Sequence, residues 1–156
     1  MQLIVAAVGT RMPAWINQGW QEYSRRFPKE MPLVLREITA GKRTSSSNLK
    51  LLAKQEGKAL LKAVPDRATL IALDERGRQF TTLELAGQFE NWQYSGQDVG
   101  FLIGGPEGLD NECLEQAGQR WSLGKLTLPH SMVRVILAEA LYRAWSVTRN
   151  HPYHRE

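Results

Sequence analysis

The sequence contains a single cysteine, Cys113, which excludes an internal disulfide and a cysteine-built zinc site. Histidine is nearly as scarce, with only His130, His151 and His154. Pro152 stands inside the His-Pro-Tyr-His run and disfavours a helical pair of metal ligands, so no metal is expected. No apolar run is long enough to span a bilayer, and no membrane association is expected. Gln2–Val8 follows Met1 with no basic segment before it, so it reads as a first strand and not as a signal peptide. One cysteine is compatible with a reducing cytoplasm, the simplest location. The usual dinucleotide, P-loop and serine-hydrolase readings lack support: there is no G-x-G-x-x-G after the first strand, no G-x-x-x-x-G-K-[ST] and no G-x-S-x-G. Internal repeats and linkers are absent too.

What is present fits one domain over residues 1–156, because that length supplies one hydrophobic core. Apolar runs at Gln2–Val8, Pro32–Ile38, Thr69–Leu73, Val99–Ile103 and Trp121–Leu128 read as five strands. Helical spacing recurs between them, opening at Pro13, over Leu49–Val64, from Thr81-x-x-Glu84 to about Tyr94, and over Asn111–Ala117 behind Asp110. Met132–Thr148 is the last helix. Strand alternating with helix predicts a single-domain α/β sandwich with a mostly parallel sheet. The last helix is apolar nearly all round, so either the domain buries it or a second copy covers it, and a homodimer is favoured.

Charge is unevenly distributed. Residues 1–62 carry 11 Lys and Arg against 4 Asp and Glu, whereas residues 63–156 carry 9 against 12. Such asymmetry suits a polyanionic partner, nucleic acid first, or simply a solvated basic surface. Lys50, Lys54 and Lys58 recur every four residues on one helix face, and the polar loop Ala40–Asn48 adds Lys42 and Arg43.

Two glycine-bearing turns stand out, Gly104-Gly105-Pro106-Glu107-Gly108 and the segment leading to Pro129-His130. Open α/β sheets hold ligands where strand ends face one crevice, and glycine lets backbone approach a ligand closely. Near these turns lie Glu107, His130, Arg134, Glu139 and Arg143. Arg134 and Arg143 are charges in an apolar helix, so they line a site, cross an interface or form ordinary ion pairs, Glu139 being suitably placed for Arg143. The tail Asn150-His-Pro-Tyr-His-Arg-Glu156 combines aromatic and cationic groups suited to base stacking and phosphate contact.

These segments together resemble the RlmH family over essentially the whole chain. The motifs are Val8-Gly9-Thr10, Ala40-Gly-Lys-Arg43, Ile103-Gly-Gly-Pro-Glu-Gly108, Leu123–Leu128 with Pro129-His130, Tyr142-Arg-Ala-Trp145 and Asn150-His-Pro-Tyr-His-Arg155. The resemblance implies a SPOUT-class fold with a C-terminal trefoil knot, a feature that general folding rules argue against. It also implies a homodimer that uses S-adenosylmethionine to methylate N3 of a pseudouridine in large-subunit ribosomal RNA on the assembled ribosome. Carried across, the cofactor contacts are Leu73, Gly104 and Gly105, with Leu123, Gly124, Lys125, Leu126, Thr127 and Leu128. Candidate catalytic residues are His130, Arg143, His154 and Arg155; candidate RNA contacts are Arg134, His151, Tyr153, Lys42, Arg43, Lys50 and Lys54. A non-catalytic ribosome-binding or RNA-binding factor on the same fold is the alternative.

Overall fold

In the computed structural model, which describes residues 1–155, the apolar run near the N-terminus becomes β1 (Leu3–Val8), buried at every position. A strand buried on both faces needs cover on both faces, and the helices supply it. The elements follow as α1 (Ala14–Ser24), β2 (Leu33–Ile38), α2 (Leu49–Lys62), β3 (Thr69–Arg78), α3 (Thr82–Ser95), β4 (Val99–Ile103), α4 (Asn111–Gln116), β5 (Gln119–Trp121) and α5 (His130–Thr148). A short 3₁₀ turn, Pro152–Arg155, follows. All five strands are parallel, in the order β2-β1-β4-β3-β5. Every strand therefore ends at the same edge of the sheet.

Side chains alternate across β1. Leu3, Val5 and Ala7 join Ile71, Phe101, Leu137 and Leu141 in the larger core, under α1, α3 and α5. Ile4, Ala6 and Val8 join Leu60, Val64, Leu102 and Cys113 on the opposite face, under α2 and α4. Cys113 is fully buried, its thiol lies 3.4 Å from the Gly57 carbonyl, and burial pushes its pKa up, as suits a packing residue.

The local signals are realised where they depend on neighbours in sequence. Thr81 and Glu84 form the reciprocal capping box, Asp110 accepts from the Cys113 N–H, and Gly96 ends α3 in the left-handed conformation at φ 67°. The fifth strand is a correction. Leu123–Leu128 alternates like a strand, yet β5 stops at Trp121 and residues 122–129 form a bent loop. Gly124 takes φ 154°, and no neighbouring strand offers these residues a ladder. Along α5, no residue from Ser131 to Thr148 is fully exposed; the helix packs on α1 and α3. Among the described residues, no helix is long and apolar enough to cross a membrane.

Candidate active site

The C-terminal edge of the sheet opens into a cleft of about 430 Å³, within the range of small-molecule sites. Its first wall is the glycine turn after β4. Gly108 at φ 79° closes this turn, and its N–H donates to the Gly105 carbonyl at 2.9 Å. A Cβ on Gly104 would stand 2.4 Å from the Gly108 carbonyl carbon, so only glycine allows the chain to fold back so tightly.

The second wall is the bent loop 122–129. Ser122 anchors it: its N–H donates to the Arg78 carbonyl at 2.9 Å and its hydroxyl to the Gly124 carbonyl at 2.8 Å. The third wall was not foreseen. Trp121 pairs with both Leu73 and Arg78, so residues 74–77 bulge out of β3, and Asp74, Glu75 and Arg76 line the cleft. The only sequence signal for this wall is the charged run Asp74-Glu75-Arg76-Gly77 directly behind an apolar strand.

Most of the expected cofactor residues meet here. Leu73, Gly104 and Gly105 line the cleft, as do all of residues 123–128 except Lys125, which is exposed outside it. His130, the first residue of α5, closes the floor with Val133. Its imidazole is half-buried. Burial, then the charges of Arg134 and Arg43, hold its pKa below the ordinary histidine value, so it is neutral at neutral pH. Glu107 reaches out of the glycine turn to Arg43, and that hydrogen bond holds its pKa below the usual carboxylate range.

Two expected RNA contacts are committed elsewhere. Arg134 is fully buried; it donates to Glu37 at 2.8 Å and to the Val8 and Gly9 carbonyls at 3.3 Å. A guanidinium with no exposed surface cannot touch RNA without unfolding its surroundings. It ties the start of α5 to the ends of β1 and β2. Arg43 is bridged between Glu56 and Glu107 and is not free to hold a phosphate. Lys42, Lys50 and Lys54 are exposed.

The remaining candidates do not line the cleft in the same chain. Arg143 lies thirteen positions along the helix from His130, about 20 Å along the axis. Arg143 pairs with Glu139 at 2.6 Å and sits 4.9 Å from the Tyr153 ring. The Tyr153 hydroxyl donates to Glu139 at 3.1 Å; its ring also meets Tyr142 at 4.9 Å and Arg26 at 5.4 Å, so the chain's own groups occupy the faces expected to stack on a base. Burial first, then its hydrogen bonds to Tyr23 and Glu139, raise the Tyr153 pKa. His151 is exposed and accepts the Tyr153 N–H at 3.2 Å. His154 is half-buried, its Nδ1 without a partner among the described residues; Arg155 is exposed and donates to Asn150 at 3.4 Å.

An all-parallel α/β sheet with a glycine-walled cleft at its strand ends is the arrangement in which open α/β domains hold nucleotides and related cofactors. Residues 1–154 match the family described as "Predicted SPOUT methyltransferase", and the chain belongs to that family. Among solved structures, it is similar to a probable methylase family protein from Haemophilus influenzae Rd KW20. That likeness has a TM-score of 0.58 at 16% identity and covers 97% of this chain and 68% of the other; it shows the shared fold.

SPOUT methyltransferases generally use S-adenosylmethionine, and the cleft suits such a group. Gly108 and Gly124 leave open space within 4 Å of where a Cβ would stand, and Leu73, Ile103, Leu123 and Leu128 give apolar walls among backbone polar groups. Among the described residues, no cluster of three or more His, Cys, Asp or Glu side chains is placed to hold a metal.

Proposed function

We propose that this chain is an S-adenosylmethionine-dependent methyltransferase of the RlmH kind, which methylates N3 of a pseudouridine in large-subunit ribosomal RNA on the assembled ribosome. The observation that carries the reading is the family match over residues 1–154, and the glycine-walled cleft at the strand ends supports it as a place for the cofactor. The trefoil knot of the C-terminal half is part of the same proposal.

When bound, S-adenosylmethionine supplies a methyl group already attached to a good leaving group. The protein's share is then positioning and charge management. Gly104, Gly105 and the loop 122–128 hold the donor by shape and backbone contact. The neutral imidazole of His130 can accept the imide proton of the target base at its unprotonated ring nitrogen. Arg143 is about 20 Å of helix from His130, and neither it nor His154 or Arg155 lines the cleft, so a part for them in the same reaction calls for a second copy. A homodimer that covers the half-buried side of α5 brings the tail of one subunit to the cleft of the other. Lys42 and the exposed Lys50/Lys54/Lys58 face of α2 grip phosphates of the same RNA.

The test is transfer of labelled methyl from S-adenosylmethionine to intact ribosomes from cells lacking this protein, with free ribosomal RNA beside them. Label mapped to N3 of one pseudouridine is expected on the ribosomes. Donor binding without label would point to another acceptor, and neither binding nor label would favour the non-catalytic RNA-binding factor. Replacing both Lys50 and Lys54 by alanine is expected to weaken ribosome binding and to reduce the log–log salt slope by about 1–2, leaving donor affinity unchanged. An unaltered slope removes these lysines from the interface.

His130 adds a pH prediction. Its folded pKa is below that of the unfolded chain, about 6.5, so the unfolded state takes up the proton first. Its contribution is fully present above about pH 6.5 and is lost as pH falls from there through the folded value. Urea midpoints measured between about pH 7.5 and 5 should fall more steeply for the wild type than for His130→Gln.

A further inference from the structure

The guanidinium of Arg43 has five N–H bonds, and oxygen atoms receive them all. Nε donates to Glu107 Oε1 at 3.0 Å and shares its hydrogen with Oε2 at 3.2 Å. Nη2 donates to Glu107 Oε2 at 2.6 Å and to Glu56 Oε2 at 3.0 Å. Nη1 donates to Glu56 Oε1 at 2.8 Å and to the Gly41 carbonyl at 2.9 Å. Glu56, on α2, is 5% exposed, and its Oε1 also accepts the Gly41 N–H at 3.0 Å. One side chain thus fastens together the loop 40–48, the middle of α2 and the glycine turn after β4.

The glycine turn needs such a fastening. Three of the five residues from Gly104 to Gly108 are glycine, the residue type that loses most conformational freedom on ordering. Among the described residues, the backbone contacts across the turn are the Gly108-to-Gly105 hydrogen bond and the bridge between the same two residues. Glu107 is the turn's one charged side chain, and Arg43 binds both of its oxygens. Loop 40–48 has no regular structure around this anchor apart from a turn at Thr44–Ser47, and it presents the exposed Lys42.

We propose that Arg43 is a positioning residue of the donor cleft: it holds the glycine turn in its ligand-lining shape and makes loop 40–48 one unit with it. The inference rests on the methyltransferase reading and adds to it a side chain that touches neither methyl donor nor RNA. Lysine keeps the charge but cannot make two bidentate contacts, so R43K removes the geometry alone.

The experiment is amide hydrogen exchange on wild type and R43K, with and without S-adenosylmethionine, beside calorimetric titration of the same donor. In wild type, the donor should slow exchange in residues 104–109 and also in 40–47. In R43K, both segments should exchange faster without donor while β1 and α5 are unchanged, donor protection should no longer reach 40–47, and the dissociation constant should rise about tenfold or more. E107Q, which keeps neutral hydrogen bonds to Arg43, should fall between the two. Equal donor affinity in wild type and R43K overturns the inference and leaves the methyltransferase reading intact. So does donor protection confined to 104–109 in wild type, or an equal rise in exchange across β1, β4 and α5 in R43K, which would make Arg43 a general stabiliser. A wild-type protein that binds no S-adenosylmethionine overturns the methyltransferase reading itself, and this inference with it.

Discussion

Replacing Arg134 by alanine is expected to lower the unfolding free energy by about 3–5 kcal/mol, a large part of what a domain of this size has. The guanidinium is fully buried, and its removal leaves the Glu37 carboxylate and the Val8 and Gly9 carbonyls without their shared donor. Truncation to alanine also opens a cavity beneath the first turn of α5. Arg134→Met should cost less, because it fills the volume; in both variants Glu37, about one-third exposed, can turn to water. Urea unfolding with both variants separates these contributions; equal losses would show that the cavity is unimportant. The same change acts on function through position, because Arg134 lies one helical turn from His130 and fixes the start of α5 against the ends of β1 and β2. The alanine variant should therefore lose donor affinity as well as stability, although its side chain has no surface in the cleft.

Gly104→Ala is expected to abolish the cleft with less damage to the fold. The added methyl would meet the Gly108 carbonyl carbon at 2.4 Å, its oxygen at 2.5 Å and the Leu109 nitrogen at 2.7 Å. All three are backbone atoms, so no side chain can move aside and the turn must open. Overpacking of this kind costs about 1–3 kcal/mol, and the displaced turn is a wall of the cleft proposed to hold the donor. Gly108→Ala is the control. Its φ of 79° strains an alanine by about 1–2 kcal/mol, yet nothing lies within 4 Å of the new methyl. Calorimetric titration with S-adenosylmethionine should show a loss of more than tenfold for Gly104→Ala and a smaller one for Gly108→Ala. Equal affinities for wild type and Gly104→Ala would mean that the turn does not shape the site.

Legibility in the sequence followed the range of the interaction. The capping box at Thr81 and Glu84, the Asp110 cap and the Gly96 stop each involve residues a few positions apart, and each stands where the residues place it. Four of the apolar runs became strands; β1 and β4 are buried at every position, and a central strand covered on both faces demands such a run. The run after Trp121 misled because alternation specifies a strand only where a neighbour supplies hydrogen bonds, and β3 ends its pairing at that residue. Glycines at 104, 105 and 124 and the leucines near them could be assigned to one cleft in advance, since ligand sites in open α/β sheets gather at strand ends.

The charged side chains followed a different rule. Arg134 and Glu37 are 97 positions apart and Arg43 and Glu107 are 64 apart, so no local pattern pairs them. From the chain alone, both arginines have the composition of RNA contacts, and only the packing of α5 over β1 and of loop 40–48 over the glycine turn commits them inward. The bulge that brings Asp74, Glu75 and Arg76 to the cleft likewise depends on where β5 stops. The sequence by itself determined the alternation of elements, the glycine-walled crevice and membership of the SPOUT methyltransferase family. The tertiary structure decided which charges face solvent and which hold the site together, because a charge leaves water only where the fold brings it a partner.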